Sequence, residues 1–287
     1  MVYLNGEYKA LVDAKVSVLD RAFLFADAVY EAIPIYNRGF FYLAEHLTRL
    51  NQSLAGIQMA NPFSNTEWQA LFEQLIQHNP PAPAQYIYLQ ISRGVDINRD
   101  HTIPTNIQPT IFIMLNSIAP APLDLAEKGI SAITMNDARW QYCNLKTTAL
   151  LPNVLARSEA NAQAAFEAIL IKNNQLIEGA ASNIFVIKDR IIKTTPKSQQ
   201  ILAGITRDLV LDLALENHYQ IKETMITVDE LFNADEVWMT SSTKEILPIT
   251  KIDNKIIGLG KPDQVWLDLS QKYKQKITEI TQYKENG

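Results

Sequence analysis

A single cysteine, Cys143, stands in a chain of 287 residues. No internal disulfide can form, and no CxxC pair is present to hold zinc or shuttle electrons. Lying close to Lys146, Cys143 reads either as a nucleophile or, more simply, as a small buried apolar residue. Histidine is also sparse: His46, His78, His101 and His218 are scattered without metal-ligand spacing. GxGxxG, GxxxxGK[ST] and GxSxG are all missing, so the signatures of dinucleotide folds, P-loops and hydrolase elbows do not apply. No apolar run approaches the ~20 residues of a membrane helix. The stretch Met1–Glu7 has no basic region leading into an apolar one, so no signal peptide is expected. A net charge of −5 without a long basic run argues against a nucleic-acid surface. Repeats and low-complexity segments are lacking too. These absences predict a soluble, cytoplasmic protein with neither nucleic acid nor membrane as partner.

Hydrophobic residues make up 47% of the chain and charged ones 20%, enough apolar material for a sizeable core. At ~150 residues per domain, two domains are expected. The proline-containing stretch from Ile118 to Leu123 is the best linker, dividing the chain into 1–117 and 123–287 around a linker at 118–122. In the first part, a hairpin is expected at Asn5-Gly6 and a strand over Tyr30–Tyr36. Helices are expected over Glu45–Ile57 and Thr66–His78, and strands over Gln85–Arg93 and Pro109–Asn116. In the second, a strand from Gly129 breaks up near Asn136-Asp137 and a helix spans Pro152–Phe166. Hairpins follow at Ala168–Glu178 and Ser182–Thr194. Further helices run from Gly204 to about Asn217, over Val228–Phe232 and from Pro262 towards Thr281, with a strand over Asp235–Thr240.

Several residues carry chemistry, each with a plainer reading beside it. Lys146 lies between a strand and a helix, where chemistry is often mounted on a rigid frame; taken alone it is a solvated lysine. Arg49 falls off the apolar stripe of Leu47, Leu50, Leu54 and Ile57, and alone reads as a helix-surface arginine. Arg99 and His101, two apart in a polar loop, point the same way if locally extended. A guanidinium fork beside an imidazole suits a carboxylate, although ordinary loop residues read the same. Glu178 is a lone acid among small and apolar neighbours, or a turn acid facing water. Gly204-Ile205-Thr206 opens a helix whose backbone N–H groups suit a phosphate, or Thr206 is merely an N-cap. The hydroxyls of Thr240-Ser241-Ser242-Thr243 suit a phosphate or a turn. In order, a lysine, an acid, a glycine-led helix and a hydroxyl cluster compose a pyridoxal phosphate site.

The chain resembles the fold-type IV pyridoxal phosphate enzymes, and among them the D-amino acid aminotransferases, from about Leu4 to Leu269. The resemblance rests on Phe25-Ala26-Asp27-Ala28-Val29-Tyr30-Glu31, Glu45-His46-Leu47-Thr48-Arg49-Leu50, Arg99-Asp100-His101 and Asn144-Leu145-Lys146. It continues in Glu178-Gly179-Ala180-Ala181-Ser182-Asn183, Gly204-Ile205-Thr206-Arg207-Asp208 and Thr240-Ser241-Ser242. It implies an α/β (α+β) fold with a small N-terminal domain and a larger cofactor-binding one, the cofactor between them, and a homodimer. It also implies roles. Lys146 carries the Schiff base and moves the proton between Cα and C4′, and Glu178 faces the pyridine nitrogen. Arg49, Ile205, Thr206, Ser241 and Ser242 hold the phosphate, and Leu202 packs on the ring. Tyr30, with Arg99 and His101 from the second subunit, binds the substrate carboxylate. D-alanine and D-glutamate are the implied donors, with pyruvate and 2-oxoglutarate as acceptors. Departures are Ala26 and Ala28 where relatives often have glycine, and Ala180 and Ala181 where serines stand near the cofactor. A branched-chain L-amino acid aminotransferase and an aminodeoxychorismate lyase are alternatives of the same fold. A non-catalytic binding protein with an anion site is the alternative of another class.

Overall fold

The computed structural model describes residues 1–119 and 127–282. They form two compact units. One contains residues 1–119, 145–149 and 279–282; the other contains 127–144 and 150–278. Of the linker expected at 118–122, residues 120–122 lie outside the described residues.

The first unit holds β1 (Val2–Leu4), β2 (Glu7–Lys9), α1 (Arg21–Phe25), β3 (Ala28–Tyr36), β4 (Gly39–Phe40), α2 (Leu43–Gly56), α3 (Asn65–Gln77), β5 (Ala84–Ser92) and β6 (Thr110–Ser117). Its sheet is antiparallel in the order β2-β1-β6-β5-β3-β4. Side chains alternate across a strand, so register decides which face each meets. Val29, Ile33 and Ile35 of β3 share a buried cluster with Ile87, Leu89 and Ile91 of β5 and with Ile111 and Ile113 of β6. Leu47, Leu50 and Leu54 of α2 and Trp68, Phe72 and Leu75 of α3 complete this core. Glu31 sits at the same parity, opposite Leu89, and is therefore a carboxylate on the core face. Tyr30, opposite Gln90, faces the other way.

Helix α3 begins at Asn65, one residue before the expected Thr66, with Ser64 as its N-cap. Ser64 Oγ accepts from Glu67 N, and Glu67 returns a bond to the Ser64 backbone, a reciprocal cap. Helix α1 was not foreseen within the apolar stretch after Asp20-Arg21. Asp20 caps it by accepting from Ala22 N, and it stops where Ala26 turns left-handed at φ 55°.

The second unit holds β7 (Ile130–Asn136), α4 (Leu151–Ala162), β8 (Glu167–Lys172), β9 (Gln175–Gly179), β10 (Asn183–Lys188), β11 (Ile191–Thr194), α5 (Ile205–Glu216), β12 (Gln220–Glu223), β13 (Ile226–Thr227), α6 (Val228–Phe232), β14 (Glu236–Ser241), β15 (Glu245–Ile252), β16 (Lys255–Ile256) and most of α7 (Gln264–Gln282), whose last residues, from Glu279, count with the first unit. Its mixed sheet runs β12-β11-β10-β14-β15-β7-β8-β9-β13, with β16 on β15. Ile169, Ile184, Val186, Val237, Met239, Leu247 and Ile249 fill its core.

Helix α4 and strand β15 depart from the sequence reading, which also did not foresee the short strands β12, β13 and β16. Helix α4 ends before Phe166 because Ala164 turns left-handed at φ 54°, and Phe166 N then donates to Ser131 O in the sheet. No glycine or proline marks that stop. Strand β15 was not foreseen, and it carries Pro248, a residue that is unusual in a strand interior. It is tolerated because β7 joins β15 only from Ile249, leaving Pro248 paired with Trp238 of β14 alone.

Candidate functional site

Lys146 belongs with the first unit, on the segment Leu145–Ala149. The segment runs beside β3. Tyr30 N donates to Lys146 O at 2.9 Å, Thr148 N donates to Ala28 O at 3.0 Å, and Val29 pairs with Thr147. Lys146 N donates to Ser53 Oγ of α2 at 3.1 Å. With its backbone held on two sides, the half-buried lysine places Nζ 4.3 Å from the Tyr30 ring centroid. The ring quadrupole attracts an ammonium there. The structure thus brings Lys146 and Tyr30 together.

Arg49 is buried, not a surface arginine. Its Nε donates to Glu31 Oε1 and its Nη2 to Glu31 Oε2, both at 2.8 Å. His46 Nδ1 lies 2.8 Å from Glu31 Oε2. A carboxylate only accepts, so Nδ1 carries the proton. Burial alone raises the Glu31 carboxyl, but the charge and bonds of Arg49, with the His46 bond, hold it far below the usual range. Burial depresses His46, and the charges of Arg49 and Lys146 add to that. The imidazole is accordingly neutral, and the cluster is one fixed cation on one fixed anion.

In the second unit Glu178 is buried at the end of β9 and bound at both oxygens. Arg139 Nη1 donates to Oε1. Leu202 N and Asn183 Nδ2 each donate to Oε2 at 3.1 Å. Arg139 is held in turn by Asp137, whose two oxygens accept at 2.9 Å. Burial pushes the Glu178 carboxyl up to about 7, against the pull of Arg139 and the Leu202 N–H. Glu178 is therefore poised to hold or release a proton near neutrality.

Leu202 leads into Gly204, the N-cap of α5. Asn183 Oδ1 lies where a Cβ on Gly204 would stand, 2.2 Å away, so glycine lets this asparagine pass and reach Glu178. Gly204, not Thr206, is the cap; it offers no side chain, leaving the first N–H groups of α5 without a side-chain acceptor. Ile205 and Thr206 supply two of them. Ser241 ends β14, and Ser242 begins the turn into β15. The Thr240 hydroxyl beside them is buried with no hydrogen-bond partner among the described residues.

Arg99 and His101 are exposed, and both lie on the ring of Phe25. Arg99 Cζ is 5.1 Å from the ring centroid, and the His101 ring centroid is 5.3 Å away. They do point the same way. Cys143 matches its plainer reading: burial pushes the thiol up to about 11, so it stays protonated and a poor nucleophile.

The model of the amino-transferase class IV family matches residues 28–252. The chain belongs to the class IV aminotransferases. A D-alanine aminotransferase of Listeria monocytogenes serotype 1/2a (strain 10403S) is 37% identical over 279 residues, covering 96% of both chains. One from Bacillus licheniformis is 40% identical over 261 residues, 91% of both. Among solved structures, a branched-chain amino acid aminotransferase of T.th. with pyridoxamine 5'-phosphate superposes with a TM-score of 0.91 at 28% identity, covering 97% of this chain and 94% of that one. The branched-chain enzyme from Escherichia coli gives 0.89 at 27%, covering 98% and 95%.

For a class IV aminotransferase, four supporting side chains escaped the sequence reading: Glu31, His46, Arg139 and Asn183. The only local signal was the acid within the otherwise apolar run of β3, and the Glu-His pair opening the arginine's helix. Nothing near Arg139 announces that it reaches Glu178.

Proposed function

We propose that this protein is a pyridoxal phosphate-dependent transaminase that exchanges amino groups between D-amino acids, such as D-alanine and D-glutamate, and 2-oxo acids, such as pyruvate and 2-oxoglutarate. The observation that carries the reading is the pair of D-alanine aminotransferases that match over more than nine tenths of both chains at 37% and 40% identity. The reading includes a cytoplasmic homodimer, with Arg99 and His101 of a second copy reaching the site.

The residues present fit the cofactor. The partnerless buried Thr240 hydroxyl and the uncapped N–H groups of α5 suit a phosphate. A buried carboxylate at Glu178 suits a pyridine nitrogen. Bound pyridoxal phosphate supplies a carbon that exchanges amines and a ring that accepts the electron pair left when Cα–H breaks. This chain supplies the rest. Lys146 Nζ, steadied over Tyr30, is the base that takes the proton from the substrate Cα. Glu178, fixed by Arg139, Asn183 and the Leu202 N–H, holds the ring proton. Arg49, with Ile205, Thr206, Ser241 and Ser242, binds the phosphate, and Leu202 packs on the ring. Glu31 orients Arg49. Tyr30, Arg99 and His101 orient the α-carboxylate.

The likeness to branched-chain enzymes favours a second reading, transamination of L-amino acids. Mixing the cofactor-loaded protein separately with D-alanine, L-alanine and L-leucine decides between them. The visible absorption should be lost with D-alanine alone; loss with L-leucine instead refutes D-specificity. Lys146→Ala should abolish both the visible band and turnover, and retained turnover would remove Lys146 from the reaction.

A further inference from the structure

Phe25 closes α1, and three nitrogen-bearing groups surround its half-buried ring: Arg99, His101 and, with Cζ 4.8 Å from the centroid, Arg21. Arg21 is buried and committed elsewhere. Its Nε donates to Asp27 Oδ2 at 2.8 Å, and its Nη1 donates to the backbone oxygen of Asp100 at 2.8 Å. Arg93 clasps the same Asp27 with bonds of 2.7 and 2.9 Å, so the anchor does not swing. The loop is pinched at its base as well. Arg21 N donates to Gly94 O at 2.8 Å, and a Cβ on Gly94 would stand 1.9 Å from Gln108 O. Asp100 Oδ1 accepts from Thr102 N at 2.6 Å, tightening the turn that separates the two side chains.

Drawing the Asp100 carbonyl onto Arg21 throws the residues on either side of it to one face, and the Phe25 ring receives them there. An exposed arginine loses considerable rotamer freedom when it binds a ligand. Resting on an aromatic face, Arg99 has already given up part of it. We propose that Phe25, secured by Arg21, is a positioning residue that sets Arg99 and His101 in advance for the substrate carboxylate. The inference rests on the reading of Arg99 and His101 as carboxylate-binding residues. Phe25 acts through them, and its loss weakens substrate binding while sparing the chemical step.

Phe25→Leu keeps apolar bulk and removes the ring face; Phe25→Tyr keeps the face. Steady-state kinetics with D-alanine should show KM raised about twofold to fivefold in Phe25→Leu, with kcat unchanged within error, and near-normal values in Phe25→Tyr. Amide exchange of Asp100 and Thr102 should quicken in Phe25→Leu alone. Arg99→Ala is measured beside them. An unchanged KM in Phe25→Leu, with a raised one in Arg99→Ala, overturns the positioning role only. An unchanged KM in Arg99→Ala overturns the carboxylate reading and this inference with it. A fall in kcat at constant KM in Phe25→Leu also overturns it, since that marks a general disturbance of the site.

Discussion

Replacing Glu31 by glutamine exchanges one oxygen for an NH2 group and should cost a large part of this protein's stability. Glu31 is fully buried, and its carboxylate accepts Arg49 Nε and Nη2 at 2.8 Å each and faces His46 Nδ1 at 2.8 Å. A glutamine amide keeps one acceptor and turns the other oxygen into a donor. Either orientation sets that donor against an N–H of Arg49, so at least one charged hydrogen bond is lost along with the counter-charge. Breaking a buried pair from one side costs about 3–5 kcal/mol, against a total stability of about 5–15 kcal/mol. Arg49→Met leaves Glu31 buried without its cation, and a similar cost follows. The double variant has neither orphan, and should lose less than the two single losses together by about 3 kcal/mol. The assay is urea unfolding of the cofactor-free protein at one protein concentration, comparing midpoints at constant m. Acid provides a second arm. Because the folded Glu31 titrates below its ordinary 4.5, its contribution is present above that pH and is lost as pH falls beneath it. Glu31→Gln should lack this part of the acid decline. Single losses that add within ~0.5 kcal/mol in the double variant would refute the coupling, and with it the claim that Glu31 orients Arg49.

Two further outcomes follow from the same structure. Ala26 occupies the left-handed region at φ 55° and ψ 28°, which costs an alanine about 1–2 kcal/mol, partly offset by the greater freedom of an unfolded glycine; Ala26→Gly should stabilise by about 0.5–1 kcal/mol in urea unfolding. A destabilised Ala26→Gly would mean the conformation carries no such strain. Glu178 titrates at about 7 when folded against an ordinary 4.5, so between those values the folded form keeps a proton that the unfolded chain releases, and stability falls as pH rises through that window. Cofactor-free Glu178→Gln should decline less steeply from pH 4.5 to 7, and parallel slopes would refute the burial argument.

Local pattern was enough for much of the framework. The apolar stripe of α2 and the alternation of β5 and β6 each lie within a short stretch of chain, where side-chain period follows directly from backbone geometry. The order of Lys146, Glu178, Gly204–Thr206 and the hydroxyl cluster was likewise readable, and with the motifs around it that order carried the family. What only the tertiary structure decided are pairings between distant strands and helices. Register placed Glu31 on the core face of β3, where its charge requires a partner, and that requirement buried an arginine whose helix position suggested solvent. Arg139 and Asn183 meet at Glu178 because β10 and the segments beside it converge there, and Phe25 receives Arg99 because a backbone carbonyl is drawn onto Arg21. Each of these depends on a long-range contact, and no periodicity in a linear sequence records which two distant residues will share one ion pair or one ring.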